Sequence, residues 1–333
     1  MLRKLPVVRV MVVTRRQTLS TVTVKEDPTS PVKIKKTKKT TVTVKKPHFE
    51  DVISFIKVPE NLELPQDFVD YHREDFIEAA RHIINQDASL YRSIVYKKFP
   101  HYKKQGSEIV KSDEELILSY WHSLISSVVS QQISGSAARS IMSKFEALFD
   151  GKPTPSKTLT FTFDELREVG LSRMKISYVQ SISEAFSNPD SNLCKVSFYR
   201  NAPLDEVIKE LVSLKGIGEW SAKMFALFTL NEWDVFAHDD LGVARGMSRY
   251  LAKRPELLNQ VKREVQQNEE MKALLKKKPK FGTTKQRDWV PLHDQYLIHA
   301  ARRFSPYMSV FMLLMWRLSA TNIDVLEAAK SEN

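Results

Sequence analysis

The chain of 333 residues carries 51 Lys+Arg and 40 Asp+Glu, yet residues 1–50 hold 13 of the bases and only 3 of the acids, leaving 38 and 37 for the remainder. The net charge of +11 therefore belongs to the amino-terminal stretch, and any nucleic-acid surface on the body must come from local placement of charge. A lone cysteine, Cys194, excludes an internal disulfide framework and any cysteine-rich metal or iron–sulfur site, and it fits a half-buried apolar position.

Residues 1–55 read as a disordered basic tail. The pentapeptide T-V-T-V-K occurs at 21–25 and again at 41–45, a sign of biased composition. No acid precedes Glu26, whereas Arg3, Lys4, Arg9, Arg15 and Arg16 do, a pattern compatible with a mitochondrial transit peptide. Lys33, Lys35, Lys36, Lys38 and Lys39 fit a nuclear import signal, a loose DNA-binding arm or a solvated tail. The expected residence is the nucleus, with the mitochondrion as the alternative. No apolar run approaches the roughly 20 residues of a membrane-spanning helix.

A folded body is expected from about Val58 onward. With 42% hydrophobic residues and only 9 glycines, and with apolar residues at helical spacing, the chain predicts an all-α fold. Residues 56–112 contribute helices over Asp67–Gln86 and Leu90–Lys98. Residues 113–240 form a lobe with helices over Glu115–Gln132 and Ser136–Phe149, broken at Ser134–Gly135. Helices over Asp164–Val169, Ser172–Phe186, Leu204–Val212 and Glu219–Leu230 follow. Leu204, Val207, Ile208, Leu211 and Val212 keep one face of a helix, with Pro203 suited to its first turn. Residues 241–325 complete a second lobe through Asp240–Ala252, Leu257–Asn268 and Pro306–Ser319. Between the last two, Lys276, Lys277, Lys278, Lys280, Lys285 and Arg287 with Pro279 and Gly282 predict an exposed basic loop over 272–287.

The segment Leu214-Lys215-Gly216-Ile217-Gly218 separates two helical patterns by very few residues. Glycine reaches positive φ and lets another backbone come close, and the amides opening the next helix suit an anion. An ordinary helix connector with a C-cap glycine is the competing reading. Downstream lie Asp239 and Asp240. Neighbours at a helix start point about 100° apart, so they cannot form a facing acid/base pair. One serves chemistry and the other suits an N-cap, or both are caps. Trp220 fits a helix core as well as a pocket wall.

Leu214–Ala222 together with Asp240 resembles the helix–hairpin–helix, Gly/Pro-rich loop and aspartate signature of the base-excision DNA glycosylases. Ser130-Gln131-Gln132-Ile133-Ser134 followed by Ala137-Ala138 is similar to a second signature, of the alkylated-base branch. So are Val169-Gly170-Leu171-Ser172 with Lys175, and Phe304-Ser305-Pro306-Tyr307 leading to Trp316. Together these span roughly residues 60–325 in the family's order. The nearest group is the fungal DNA-3-methyladenine glycosylases, akin to the bacterial type II enzymes without their extra amino-terminal β-domain.

This resemblance implies a two-lobed, monomeric, monofunctional DNA glycosylase. It would remove alkylated purines such as 3-methyladenine and 7-methylguanine from double-stranded DNA. Asp240 would take the catalytic position and Asp239 the N-cap. Gly216, Ile217, Gly218 and Ser221 would grip a phosphate. Trp220 and Trp316 would line the base pocket, joined by Gln131, and Gln132 would be the wedge that fills the stack behind an extruded nucleotide. Where the strand-nicking branch has a Schiff-base lysine, this chain has Trp220, so no lyase step is implied. The chemistry requires no cofactor and no catalytic metal, although the hairpin carbonyls could hold an ion. His238 and Met308 stand where relatives commonly carry proline and arginine. The alternative is a non-catalytic helix–hairpin–helix DNA-binding protein.

Overall fold

Short polar side chains set where the helices of this chain begin. In the computed structural model, which describes residues 49–104, 106, 111–282 and 287–319, Ser112 and Glu115 form a reciprocal capping box ahead of Asp113–Ser130. Thr162 and Glu165 do the same for Phe163–Glu168. Ser134 caps Gly135–Glu146 and Ser172 caps Arg173–Ser187. Residues 1–48 of the expected tail, with its lysine cluster, and Lys285 lie outside the described residues.

Among the described residues there is no β-strand, only an isolated antiparallel bridge between His72 and Lys103. The helix expected over Asp67–Gln86 is two, Gln66–Tyr71 and Glu74–Gln86, because His72 and Arg73 are extended. Buried His72 explains the break. Its Nδ1 bonds the Phe68 carbonyl at 2.7 Å, and its Nε2 accepts from the Phe99 N–H at 2.8 Å. Pro155–Thr158, Val196–Asn201, Glu269–Leu274 and Asp294–Ala301 are helices that the sequence pattern did not predict. The third occupies the start of the expected basic loop.

All described residues belong to one compact unit, Lys46–Asn333, with two apolar centres. One gathers Trp121, Val128, Phe145, Val179 and Leu211, and it ends with Phe225. Trp121 is fully buried and donates from Nε1 to Ser183 Oγ at 3.1 Å. The other joins Phe76, Ile83 and Ile94 to Met247, Tyr250, Phe311 and Met315. Ile208 packs against both. The body begins earlier than residue 56, since Phe49 and Ile53 are buried in the second centre. Buried residues change over from Phe225, in the first centre, to Ala226, Leu227, Val235 and Ala237, which pack with the second.

At that changeover the helix Glu219–Phe225 continues as a π-helical turn, Ala226–Leu230, and ends at Asn231 with φ 59°. π-Turns of this kind often sit beside functional sites. The helices Leu241–Ala252 and Met308–Ser319 pack at very short range: a Cβ on Gly246 would fall 1.9 Å from the Met315 carbonyl oxygen. Arg249 donates to the Leu318 and Ser319 carbonyls at the end of the last helix. Arg317 donates to the Ser93, Ile94, Lys97 and Lys98 carbonyls. These two arginines satisfy carbonyls that helix ends leave without partners.

Candidate active site

The hairpin is anchored by its apolar residues. Leu214 and Ile217 are buried, and the Ile217 N–H donates to the Leu214 carbonyl at 3.2 Å. The Ile217 amide is thus used inside the turn, and its side chain pins the turn to the core. Gly216 has φ +85°, and a Cβ there would meet Tyr178 Cδ2 at 2.3 Å, so both conformation and space require glycine. Gly218 differs: its φ is −93°, and a Cβ would meet nothing within 4 Å. It opens onto space as the N-cap of Glu219–Phe225, where no side chain caps the helix. First-turn amides have no partner inside their own helix and suit an anion. Ser221, at 8% exposure, is buried.

Asp240 lies close by because Trp220, on that first turn, reaches it. Trp220 Nε1–H donates to Asp240 Oδ2 at 2.9 Å. Trp316 Nε1–H donates to Oδ1 at 2.8 Å, and so does the Val243 amide at 2.8 Å. One carboxylate is therefore held by the hairpin helix, by the last helix and by its own helix. Trp220 is 43% exposed, so the site opens to solvent on that side. Phe228 of the π-turn lies parallel to Trp316, with centroids 6.1 Å apart and planes 7° apart. Gly242 makes room: a Cβ there would sit 2.8 Å from Trp316 Cδ1 and 3.0 Å from Asp240 Oδ1. Sequence reasoning missed Phe228 and Gly242. The Gly242/Gly246 spacing of one helical turn was the available signal for a close helix contact.

The expected division of labour between the two aspartates is corrected. Asp240, not Asp239, is the N-cap, because the helix starts at Leu241 and Asp240 keeps extended backbone (φ −79°, ψ 131°). Asp239 lies 4.0 Å from Lys223 Nζ, and its buried Oδ1 has no hydrogen-bond partner. Lys223 also pairs with Glu219 at 2.6 Å, and this bond holds the Glu219 carboxyl below its usual range. Burial, reinforced by Lys223, pushes the His238 imidazole below its ordinary value.

The helix expected to run through Gln132 stops at Ser130. Gln131 donates from Nε2 to the Gly216 carbonyl at 2.9 Å, so it engages the hairpin directly. Gln132 follows with φ +60° and projects from an exposed turn beside Ile133, which is also exposed. Lys175 fixes this turn from below, donating from Nζ to the Val129 and Gln131 carbonyls at 2.6 and 2.8 Å. Met308 opens the last helix, with its N–H on Asp234 Oδ1 at 3.3 Å. Among the described residues no group of three or more His, Cys, Asp or Glu side chains is placed to hold a metal ion.

Known proteins resemble this chain in sequence and fold. Residues 125–277 match the family described as HhH-GPD superfamily base excision DNA repair protein. Over 279 residues the chain is 36% identical to a DNA-3-methyladenine glycosylase of Saccharomyces cerevisiae, covering 82% of this chain and 89% of that protein. DNA-3-methyladenine glycosylase 1 of Schizosaccharomyces pombe is 34% identical over 140 residues, 41% of this chain and 60% of its own length. The crystal structure of a Bacillus halodurans DNA-3-methyladenine glycosidase shares the fold, with a TM-score of 0.50 at 23% identity over 75% of this chain and 95% of that one. The chain belongs to the HhH-GPD superfamily of base excision DNA repair proteins, among its DNA-3-methyladenine glycosylases.

Proposed function

We propose that this protein is a monofunctional DNA glycosylase that hydrolyses the N-glycosidic bond of alkylated purines, 3-methyladenine and 7-methylguanine, in double-stranded DNA. The observation that carries the reading is the Asp240 carboxylate, held by two indole N–H groups and one amide beside the hairpin. Breaking the bond between C1′ and the base nitrogen leaves positive charge on the sugar. A fixed carboxylate stabilises that charge and orients the attacking water, which passes a proton to the carboxylate, and from there to solvent, as its oxygen bonds C1′. Alkylation already makes the purine cationic, so it departs neutral and no general acid is needed. Exposed Trp220 offers the electron-poor ring a face, and Trp316 forms the opposite contact with the carboxylate. The amides at Gly218–Trp220 hold a backbone phosphate, and Gln132, with Ile133 beside it, fills the stack.

Trp220 at the Schiff-base position supports hydrolysis without strand cleavage. Lys223, one turn later, is engaged by Glu219. The expectation of nuclear residence rests on the 33–39 lysine cluster, and deleting that cluster from a fluorescent fusion tests it.

The test uses a methylated duplex with wild type and Asp240→Asn, assaying free base. Wild type releases 3-methyladenine and 7-methylguanine, and Asp240→Asn loses about 10²-fold or more in rate while still binding DNA. Borohydride traps no covalent adduct. No release from either protein favours the non-catalytic DNA-binding alternative.

A further inference from the structure

We propose that Lys276, Lys277, Lys278 and Lys280 form a second binding site for nucleic-acid phosphates, continuous with the hairpin and gripping the duplex on the flank of the extruded nucleotide. The proposal rests on the DNA reading above and adds a surface that the hairpin signature does not contain.

All four lysines are exposed, but their backbone is fixed. The Lys277 carbonyl accepts from His293 Nε2 at 2.9 Å, and the Lys280 N–H donates to both carboxylate oxygens of Asp294 at 3.0 and 3.3 Å. Phe281, next in sequence, packs against the apolar centre and meets Trp289 edge-on. The run is thus tied to the start of the helix Asp294–Ala301.

Its location is what singles it out. Lys280 lies within electrostatic reach of Glu219, the first residue of the hairpin's exit helix, and Asp294 within reach of His238. Glu219 is itself paired with Lys223. Among the described residues none of the four ammonium groups is in a salt bridge. On a body of almost balanced charge, this is an exposed run of positive charge whose Lys280 end reaches the first residue of the hairpin's exit helix. Lysine is a mobile point charge without the planar fork that reads base edges, so the ligand class is the phosphodiester backbone, contacted without sequence preference. Two acidic side chains by the run, Glu219 and Asp294, are held by Lys223 and by the Lys280 backbone N–H.

The test measures binding of the full chain to an undamaged duplex across a salt series. It compares wild type, Lys276→Gln/Lys277→Gln/Lys278→Gln/Lys280→Gln, and the same four positions changed to arginine. Each lost phosphate contact lowers the slope of log K against log salt by about 0.9 and weakens binding about tenfold at 0.1 M salt. A weaker, flatter glutamine variant with an arginine variant near wild type supports the proposal. An unchanged glutamine slope overturns it, and so does equal weakening by arginine, which would signal a structural effect. If the quadruple variant does not fold, the pair Lys276→Gln/Lys277→Gln is read the same way, with half the effect. Base release by wild type is scored separately. Release with an unchanged glutamine slope sinks this site and spares the glycosylase reading; no release with a flattened slope does the reverse.

Discussion

Asp240 performs two tasks with one side chain. Oδ1 caps the helix Leu241–Ala252 through the Val243 amide, while the two oxygens each accept an indole N–H. Capping therefore fixes the carboxylate at the place where charge would develop. Trp220→Phe and Trp316→Phe keep an aromatic face, smaller than the indole, and delete the donor. Hydrogen bonds to charged groups contribute about 1.5–3 kcal/mol, so each variant is expected to slow single-turnover base release by about 10- to 100-fold. A rate within twofold of wild type would show that the indoles only stack.

At the scale of elements, the pairing of Leu241–Ala252 with Met308–Ser319 builds the site, because it lays Trp316 against Asp240. Gly246→Ala places a methyl group against the Met315 backbone, which cannot give way as a side-chain tip can. We expect a loss of about 1–3 kcal/mol, measured by urea unfolding. Gly242→Ala meets Trp316 Cδ1 and Asp240 Oδ1 instead. That variant is expected to lose activity out of proportion to stability, read from free base released against the thermal midpoint. Lys175 holds the end of Asp113–Ser130 together with the turn that carries Gln131 and Gln132. Lys175→Met strips two carbonyls of a partner, at a cost of about 1–3 kcal/mol. It is expected to raise the hydrogen-exchange rate of the 129–134 amides, which a purely distant role would leave alone.

For the whole molecule, acid is the expected weak point. His72 is buried and neutral by geometry, since Nε2 accepts from the Phe99 amide while Nδ1–H serves the Phe68 carbonyl. Burial, with Arg317 and Lys98 nearby, lowers its pKa from 6.5, against smaller opposing effects from the Phe68 bond and Asp67. His238 shifts the same way. The unfolded chain then binds more protons, so stability is fully present above about pH 6.5 and is lost as pH falls toward the lower folded values. The slope reaches about 1.4 kcal/mol per pH unit for each histidine. Thermal midpoints from pH 8 to 5 check this: the decline should be shallower in His72→Asn, whatever that variant's starting stability.

Much was legible in the sequence because helices, caps and the hairpin depend on neighbours close along the chain. Ser112, Thr162 and Ser172 announce helix starts, and Gly216 needs its positive φ whatever surrounds it. The order of motifs likewise placed Asp240, Trp220 and Trp316 among the candidates. Only the tertiary structure decided what these side chains do to each other. Trp316 meets Asp240 from 76 residues away, Gln131 meets Gly216 from 85, and His72 breaks a helix for the sake of Phe99. Such contacts form only when two helices pack closely enough to exclude water. Periodicity in one segment reports which face is buried, never which partner buries it.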